Sequence, residues 1–254
     1  MTQQKRIWLG DDRALFIGGL PTTRLHAHAA PVLLIGLSGP IRLQFANGQQ
    51  ETCHSALVDA GTEHALDCRG ETVASLYLEP DAPETLTLRA GPLKNNPVVF
   101  DVLPSNRRHK RLESQLQAFA LDALLHKTVH GQRALMDERI SRSLPLLRQG
   151  DDHLVSRGSL AQRVHLSESR FNHLFRAEMG ISFRRYRSWS RLRSALFHVT
   201  STPSLTQAAL AAGLHDSAHF SRLFQDMIGL APSRVLSGNT RVELISGPSH
   251  RTLP

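Results

Sequence analysis

Arg222 and Gln225 stand three residues apart in the stretch GLHDSAHFSRLFQDMIGLAP, Gly213 to Pro232. Asn172, His173 and Arg176 hold comparable places about 49 residues earlier, in LAQRVHLSESRFNHLFRAEMGISFRRY, residues 160–186. A guanidinium presents a rigid fork of donors, and a carboxamide presents a donor beside an acceptor. Such groups make paired hydrogen bonds to flat edges: arginine to guanine, asparagine or glutamine to adenine. Each pair is worth roughly 1–3 kcal/mol of discrimination between bases. For that chemistry the side chains must share one face of a stiff element.

The two stretches predict that element twice. Phe171 matches Phe220, Leu174 matches Leu223, Phe175 matches Phe224, Gly180 matches Gly229 and Arg185 matches Arg234, with one extra residue in the second turn. Each copy reads as a small-residue helix, a short turn, a second helix with an i, i+3, i+4 apolar seam, and a glycine stop. That is helix-turn-helix patterning. Ser204-Leu205-Thr206-Gln207 has the form of a capping box. Gly213 suits the turn, Ser167 and Asp216 suit the N-caps of the second helices, and Gly180 and Gly229 suit left-handed stops. Off the seam lie Glu168, Ser169, Arg170, Asn172, His173 and Arg176 in the first copy. Ser217, Ala218, His219, Ser221, Arg222 and Gln225 do so in the second. These twelve are the candidate base-reading residues, because the second helix of such a unit enters the major groove with its N-terminal residues at base edges. One copy alone would read equally well as a solvated helix face. Two copies in the basic part of the chain favour the groove.

The joining segment FRRYRSWSRLRSALFHV, residues 183–199, places Trp189, Leu192, Ala195, Leu196 and Val199 on one helical stripe. A continuous helix there would fix the separation of the two units, and units about 34 Å apart would enter successive major-groove segments. Arg184, Arg185, Arg187, Arg191, Arg193 and Arg234 are the candidate phosphate contacts, which position a protein without reading sequence. Helix N-termini near Ser182 and Pro232 are further candidates.

Charge follows the same division. Residues 1–130 hold 13 Lys/Arg and 13 Asp/Glu, whereas residues 131–254 hold 17 Arg, no Lys and 9 Asp/Glu, so the net +8 lies wholly in the second part. One domain therefore has an electrostatic partner, nucleic acid before any other. No run approaches 18 apolar residues, and MTQQKRIWLGDD lacks the apolar core of a signal peptide. The expectation is a cytoplasmic protein without a membrane partner. Cys53 and Cys68 form neither a disulfide framework nor a Cys-x-x-Cys zinc pattern, and a redox pair on neighbouring strands is the remaining use for them.

Residues 1–90 read as short strands: VLLIGLSG (32–39), IRLQFANGQ (41–49), SALVDAG (55–61) and TVASLYLEP (72–80), with Asn47-Gly48 a hairpin turn. From 106 to 130, Leu112, Leu116, Phe119, Ala120, Ala123 and Leu124 recur at helical spacing. That apolar stripe packs either on its own sandwich or on the same helix of a second chain, giving a homodimer. The tail from Ser237 reads as polar and weakly ordered.

Residues from about Asp137 to Val235 resemble the DNA-binding domain of the AraC/XylS family of bacterial transcription regulators. The likeness rests on DERISRSLPLL, the LSxSxFxxLF unit, YRSWSRLRSAL and AAGLHDSAHFSRLFQDMIGLAPS. Phe183 stands where the second copy has Pro232, and Ala231 replaces the usual Thr or Ser before that proline. The resemblance implies two helix-turn-helix subdomains on one linker helix, binding double-stranded promoter DNA. It further implies an activator more than a repressor, with RNA polymerase as a second partner, and not an enzyme.

HAHAAPVLLIGLSGPIRL and LVDAGTEHAL resemble the cupin-like sensor domain common in that family. His26, His28 and His64 match the histidines of the two cupin motifs. The resemblance implies a small effector, or a divalent metal, at these three residues. The glutamate that follows the His-x-His pair in metal-binding cupins is replaced by Ala29-Ala30-Pro31-Val32, so no resident metal or other cofactor is expected. The whole reading is a two-domain α+β chain. It has a cupin-like β-sandwich over 1–105, a connecting helix over 106–130, a helical DNA-binding domain over 131–236 and a tail over 237–254. The rival readings are a cupin-type metalloenzyme and an RNA binder. The missing carboxylate and the doubled motif oppose the first, and the lack of an aromatic stacking platform opposes the second.

Overall fold

Short apolar runs bounded by Gly, Pro and Asp form eleven strands among the described residues. The computed structural model describes residues 4–103, 112, 114, 116, 135–149, 156–202, 204–236 and 240–245. The chain divides into two units, Met1–Gly131 with Phe224–Pro254, and Gln132–Leu223.

In the first unit, β1 (Arg6–Leu9), β2 (Arg13–Gly19), β4 (Val32–Gly36), β7 (Ser55–Val58), β9 (Thr72–Leu78), β10 (Val98–Phe100) and β11 (Arg241–Leu244) make one sheet. Its order is β10-β7-β4-β9-β2-β1-β11. The second sheet takes β3 (His26–Ala27), β8 (Glu63–Asp67), β5 (Ile41–Phe45) and β6 (Gln50–Cys53) in the order β3-β8-β5-β6. A two-sheet fold is what the four apolar runs predict, and each run contains a strand. The other strands are too short or too continuous in polarity to announce themselves by alternation. Helix α1 (Pro83–Ala90) begins on a proline in its first turn, a start signal within a stretch that otherwise reads as a loop. Residues 241–244 of the tail are ordered after all: β11 lies parallel to β1, pairing Arg6 with Arg241 through Leu9 with Leu244.

Asn47-Gly48 does turn a hairpin. Gly48 (φ 83°) donates to the Phe45 carbonyl, and Phe45 N–H donates to Gln49 O (both 2.9 Å), so the turn is the longer form with one left-handed glycine. Cys53 and Cys68 are buried free thiols. They do not sit on neighbouring strands, because β5 runs between β6 and the strand that ends before Cys68. Burial pushes each thiol up to about 12, so neither is a thiolate at neutral pH.

Of the helix expected over 106–130, only Leu112, Ser114 and Leu116 fall within the described residues, and all three are helical. Leu112 and Leu116 are buried in one cluster with Trp8, Leu15, Leu33 and Leu76, which places them on their own sandwich.

The second unit is helical, as its apolar spacing predicts. It contains α2 (Glu138–Gln149), α3 (Arg157–Arg163), α4 (Glu168–Met179), α5 (Phe183–Val199) and α6 (Leu205–Ala211). Helix α7 (Ser217–Ile228) begins in this unit and ends in the first, where α8 (Pro232–Leu236) follows. Phe171, Phe175, Phe183 and Tyr186 interlock edge to face and tilted, with ring centroids 5.3–5.7 Å apart. Phe183, the departure from the proline pattern, is therefore a core residue of the first copy.

Candidate nucleic-acid interface and histidine cluster

The repeat read from sequence is reproduced bond for bond. In the first turn His165 N–H donates to Gln162 O and Leu166 N–H to Ala161 O. In the second, Gly213 N–H donates to Leu210 O and Leu214 N–H to Ala209 O. His165 (φ 55°) takes the left-handed conformation that glycine takes at Gly213 (φ 72°), an unusual demand on a residue with a Cβ. The extra residue, His215, follows this turn and stacks on His219 at 5.4 Å.

Each second helix has the N-cap its sequence predicts. Ser167 accepts from Arg170 N–H (3.2 Å), and Asp216 Oδ1 accepts from His219 N–H (2.6 Å). That amide bond is the main reason the Asp216 carboxyl lies below its ordinary value. The capping box at Ser204 closes indirectly. Ser204 accepts from Gln207 N–H, but Gln207 Oε1 accepts from Thr202 Oγ1, which in turn accepts from Ser204 N–H. Gly180 (φ 73°) and Gly229 (φ 77°) stop α4 and α7 in the left-handed region.

On α4, Glu168, Ser169, Arg170, His173 and Arg176 are exposed and Asn172 is half-buried. Glu168 is gripped by Arg157 through Nε and Nη2 (2.8 and 2.6 Å), so its charge is paired on the surface. On α7, Ala218 and Arg222 are exposed, while Ser217, His219, Ser221 and Gln225 are half-buried. Ser221 Oγ donates to Ser217 O (2.8 Å), which takes up its single donor inside the helix. Among the arginines, Arg184 and Arg234 are exposed, and Arg185, Arg187 and Arg191 are half-buried. Arg187 lies over the Phe183 ring at 5.9 Å. Arg193 does not suit a phosphate contact: it is 7 % exposed, with its guanidinium 5.7 Å from the Phe197 ring. The helical stripe of α5 is wide enough to take it into the packing, so it is a structural residue.

The three motif histidines converge in the first unit. His26 pairs with His64 across β3 and β8, and His28 follows one residue beyond β3. All three are buried, with ring centroids 4.5–5.0 Å apart. Each Nδ1 faces a backbone carbonyl: Arg24 O for His26 (2.8 Å), Met227 O for His28 (2.6 Å) and Thr62 O for His64 (2.9 Å). A carbonyl only accepts, so each Nδ1 is the donor in its bond. His26 Nε2 lies 3.2 Å from His28 Nε2. His64 Nε2 is buried and has no hydrogen-bond partner. Burial lowers the His64 pKa, against the Thr62 hydrogen bond that raises it.

Three neighbours of this cluster are not tied to it by any motif. Tyr77 lies edge-on to His28 at 5.0 Å. Arg24 joins the end of α7, with Nη2 on Asp226 (2.5 Å), Nε on Gln225 O (3.3 Å) and its N–H on Gly229 O (3.1 Å). Gly229 packs so closely that a Cβ there would lie 2.4 Å from His26 Nδ1. The glycine was legible as a helix stop, but its packing against a histidine far away in sequence was not.

Fold and interface together define a β-sandwich chain carrying a paired helix-turn-helix. A family profile described as a helix-turn-helix domain matches residues 160–238. The arabinose operon regulatory protein of Salmonella typhimurium is 33 % identical over 122 residues, which cover 46 % of this chain and 41 % of that protein. The Escherichia coli protein of the same name is 35 % identical over 109 residues, 41 % of this chain and 36 % of that protein. This chain thus spans about two-fifths of the curated relatives it matches. ToxT of Vibrio cholerae has the same two-part fold: the apo K231A protein superposes with a TM-score of 0.56 at 13 % identity, over 89 % of this chain and 97 % of that one. A fatty-acid-bound ToxT gives 0.57 at 12 % identity over 93 % and 97 %. Residues 160–238 therefore form a helix-turn-helix domain similar to that of the arabinose operon regulatory proteins. Among the described residues no helix is long and apolar enough to cross a membrane.

Proposed function

We propose that the protein is a sequence-specific DNA-binding transcription regulator, working in the cytoplasm on promoter DNA. The observation that carries this reading is the matched pair of helix-turn-helix turns, each followed by a capped helix with an exposed arginine, Arg170 on α4 and Arg222 on α7. Arg222 and Asn172 read base edges, and Arg184 and Arg234 hold phosphates. The family likeness supports activation, with RNA polymerase as the protein partner. A small effector acting on the β-sandwich is supported by the buried polar cluster there. A homodimer is also compatible with this reading.

Salt separates the two kinds of contact. Replacing one phosphate-binding arginine removes about one released counterion, whatever the base sequence. Arg184→Ala is therefore expected to weaken specific and non-specific binding alike and to flatten the log-log salt slope by about 0.9. Gel-shift titrations at several salt concentrations measure this, and an unchanged slope would remove Arg184 from the phosphate set.

A further inference from the structure

We propose that His215, the extra residue of the second turn, is a positioning residue for base reading. It holds His219 as a fixed Nε2–H donor in the major groove, and His219 then selects one base pair. The proposal rests on the DNA-binding reading above and assigns within it a specificity that the first copy does not share.

The register between the two copies locates the pair. Phe171 matches Phe220, so Arg170 and His219 hold the same place, just before the first seam phenylalanine. The capping bonds agree: Arg170 N–H donates to Ser167 and His219 N–H to Asp216. That place lies in the first turn of the reading helix, where side chains reach base edges. In the first copy it carries a long, exposed arginine. In the second it carries a short, half-buried imidazole, and it is this copy that has a residue inserted before the N-cap.

The inserted residue meets that imidazole twice. His215 N–H donates to His219 Nδ1 (3.5 Å). The two rings stack, 19° from parallel with centroids 5.4 Å apart. The N–H contact selects the tautomer. A backbone amide only donates, so Nδ1 accepts and the ring proton lies on Nε2. A proton on Nδ1 would set two donors against each other. The stack fixes the plane of the ring, which rotation about its side-chain bonds would otherwise leave free. His215 itself is exposed, whereas Leu214 and Phe220 are buried, so turn and seam are packed without it.

The chemistry names the base. A single ordered donor pairs with an acceptor edge. Guanine offers N7 and O6 side by side, whereas cytosine offers its amino donor. His219 therefore prefers guanine to cytosine on the strand it faces. Ordering the ring before contact means that less rotational freedom is lost on binding. Arg222, three residues further along α7, keeps its own base pair.

The test uses the full chain and the site it selects from random duplex DNA, with each base pair of that site varied in turn. His219→Phe keeps a ring for the stack and loses the donor. It is expected to cut the guanine preference at one base pair about three- to tenfold and to leave the others unchanged. His219→Ala serves where the phenylalanine variant fails to fold. His215→Ala is expected to relax the same base pair about two- to fivefold, and His215→Phe, which restores a stacking ring, to recover the wild-type preference. A turn merely loosened by substitution would relax every position that α7 reads, the Arg222 base pair included. Unchanged preference at every base pair in the His219 variant overturns the proposal and leaves the DNA-binding reading standing. Relaxation by the His219 variant but not by His215→Ala, or a uniform loss on all sequences in His215→Ala, overturns the positioning role. A folded wild-type chain that selects no site overturns the DNA-binding reading and the proposal with it.

Discussion

Phe175→Ala is expected to lower the stability of the helical unit by about 3–5 kcal/mol, the range for a large aromatic removed from a core that cannot collapse. Phe175 is 0 % exposed and its ring touches those of Phe171, Phe183 and Tyr186. Those partners belong to α4 and α5, so the cavity loosens the first reading helix and the linker helix together. Leu210, 56 % exposed on α6, is the control: its alanine variant should fall within about 0.5 kcal/mol of wild type. Denaturant unfolding followed by circular dichroism, with Trp189 fluorescence for this unit, measures both. A Phe175 variant as stable as wild type would mean that the ring cluster does not hold the first copy together.

Arg222→Ala carries the second large effect, at the level of recognition. Its side chain is exposed in the second turn of α7, a helix whose N-terminus is fixed by Asp216. Loss of a bidentate base contact costs about 1–3 kcal/mol, roughly a 5- to 150-fold drop in affinity at the preferred site. Non-specific affinity should fall far less, and preference should relax at one or two base pairs. The contrast with Arg184→Ala, where all sequences weaken together, separates reading from positioning. Equal losses on specific and random DNA would demote Arg222 to a phosphate contact.

Much of this architecture was legible in the chain. The helix-turn-helix pair was readable because its signals are local: the Phe-x-x-Leu-Phe seam, Ser167 and Asp216 as caps, Gly180 and Gly229 as stops. Even the one-residue offset between copies reappears as His215. Arg193 shows where local reading fails. Its charge marks it for the surface, but its place on a wide helical stripe turns it inward against Phe197. The histidines were found through a motif, but their hydrogen-bond partners were not, because the carbonyls of Arg24, Thr62 and Met227 are brought near only by the fold. The strand at 241–244 was missed for the same reason: a short polar segment becomes a strand when β1 offers it an edge.

The central claim is that α4 and α7 read duplex DNA in tandem. Selection of bound sites from a random double-stranded library with the full chain tests it most directly. The account predicts an enriched motif of two short blocks about one helical turn, roughly 10–10.5 base pairs, apart. A folded protein that enriches no sequence over scrambled competitor would contradict it.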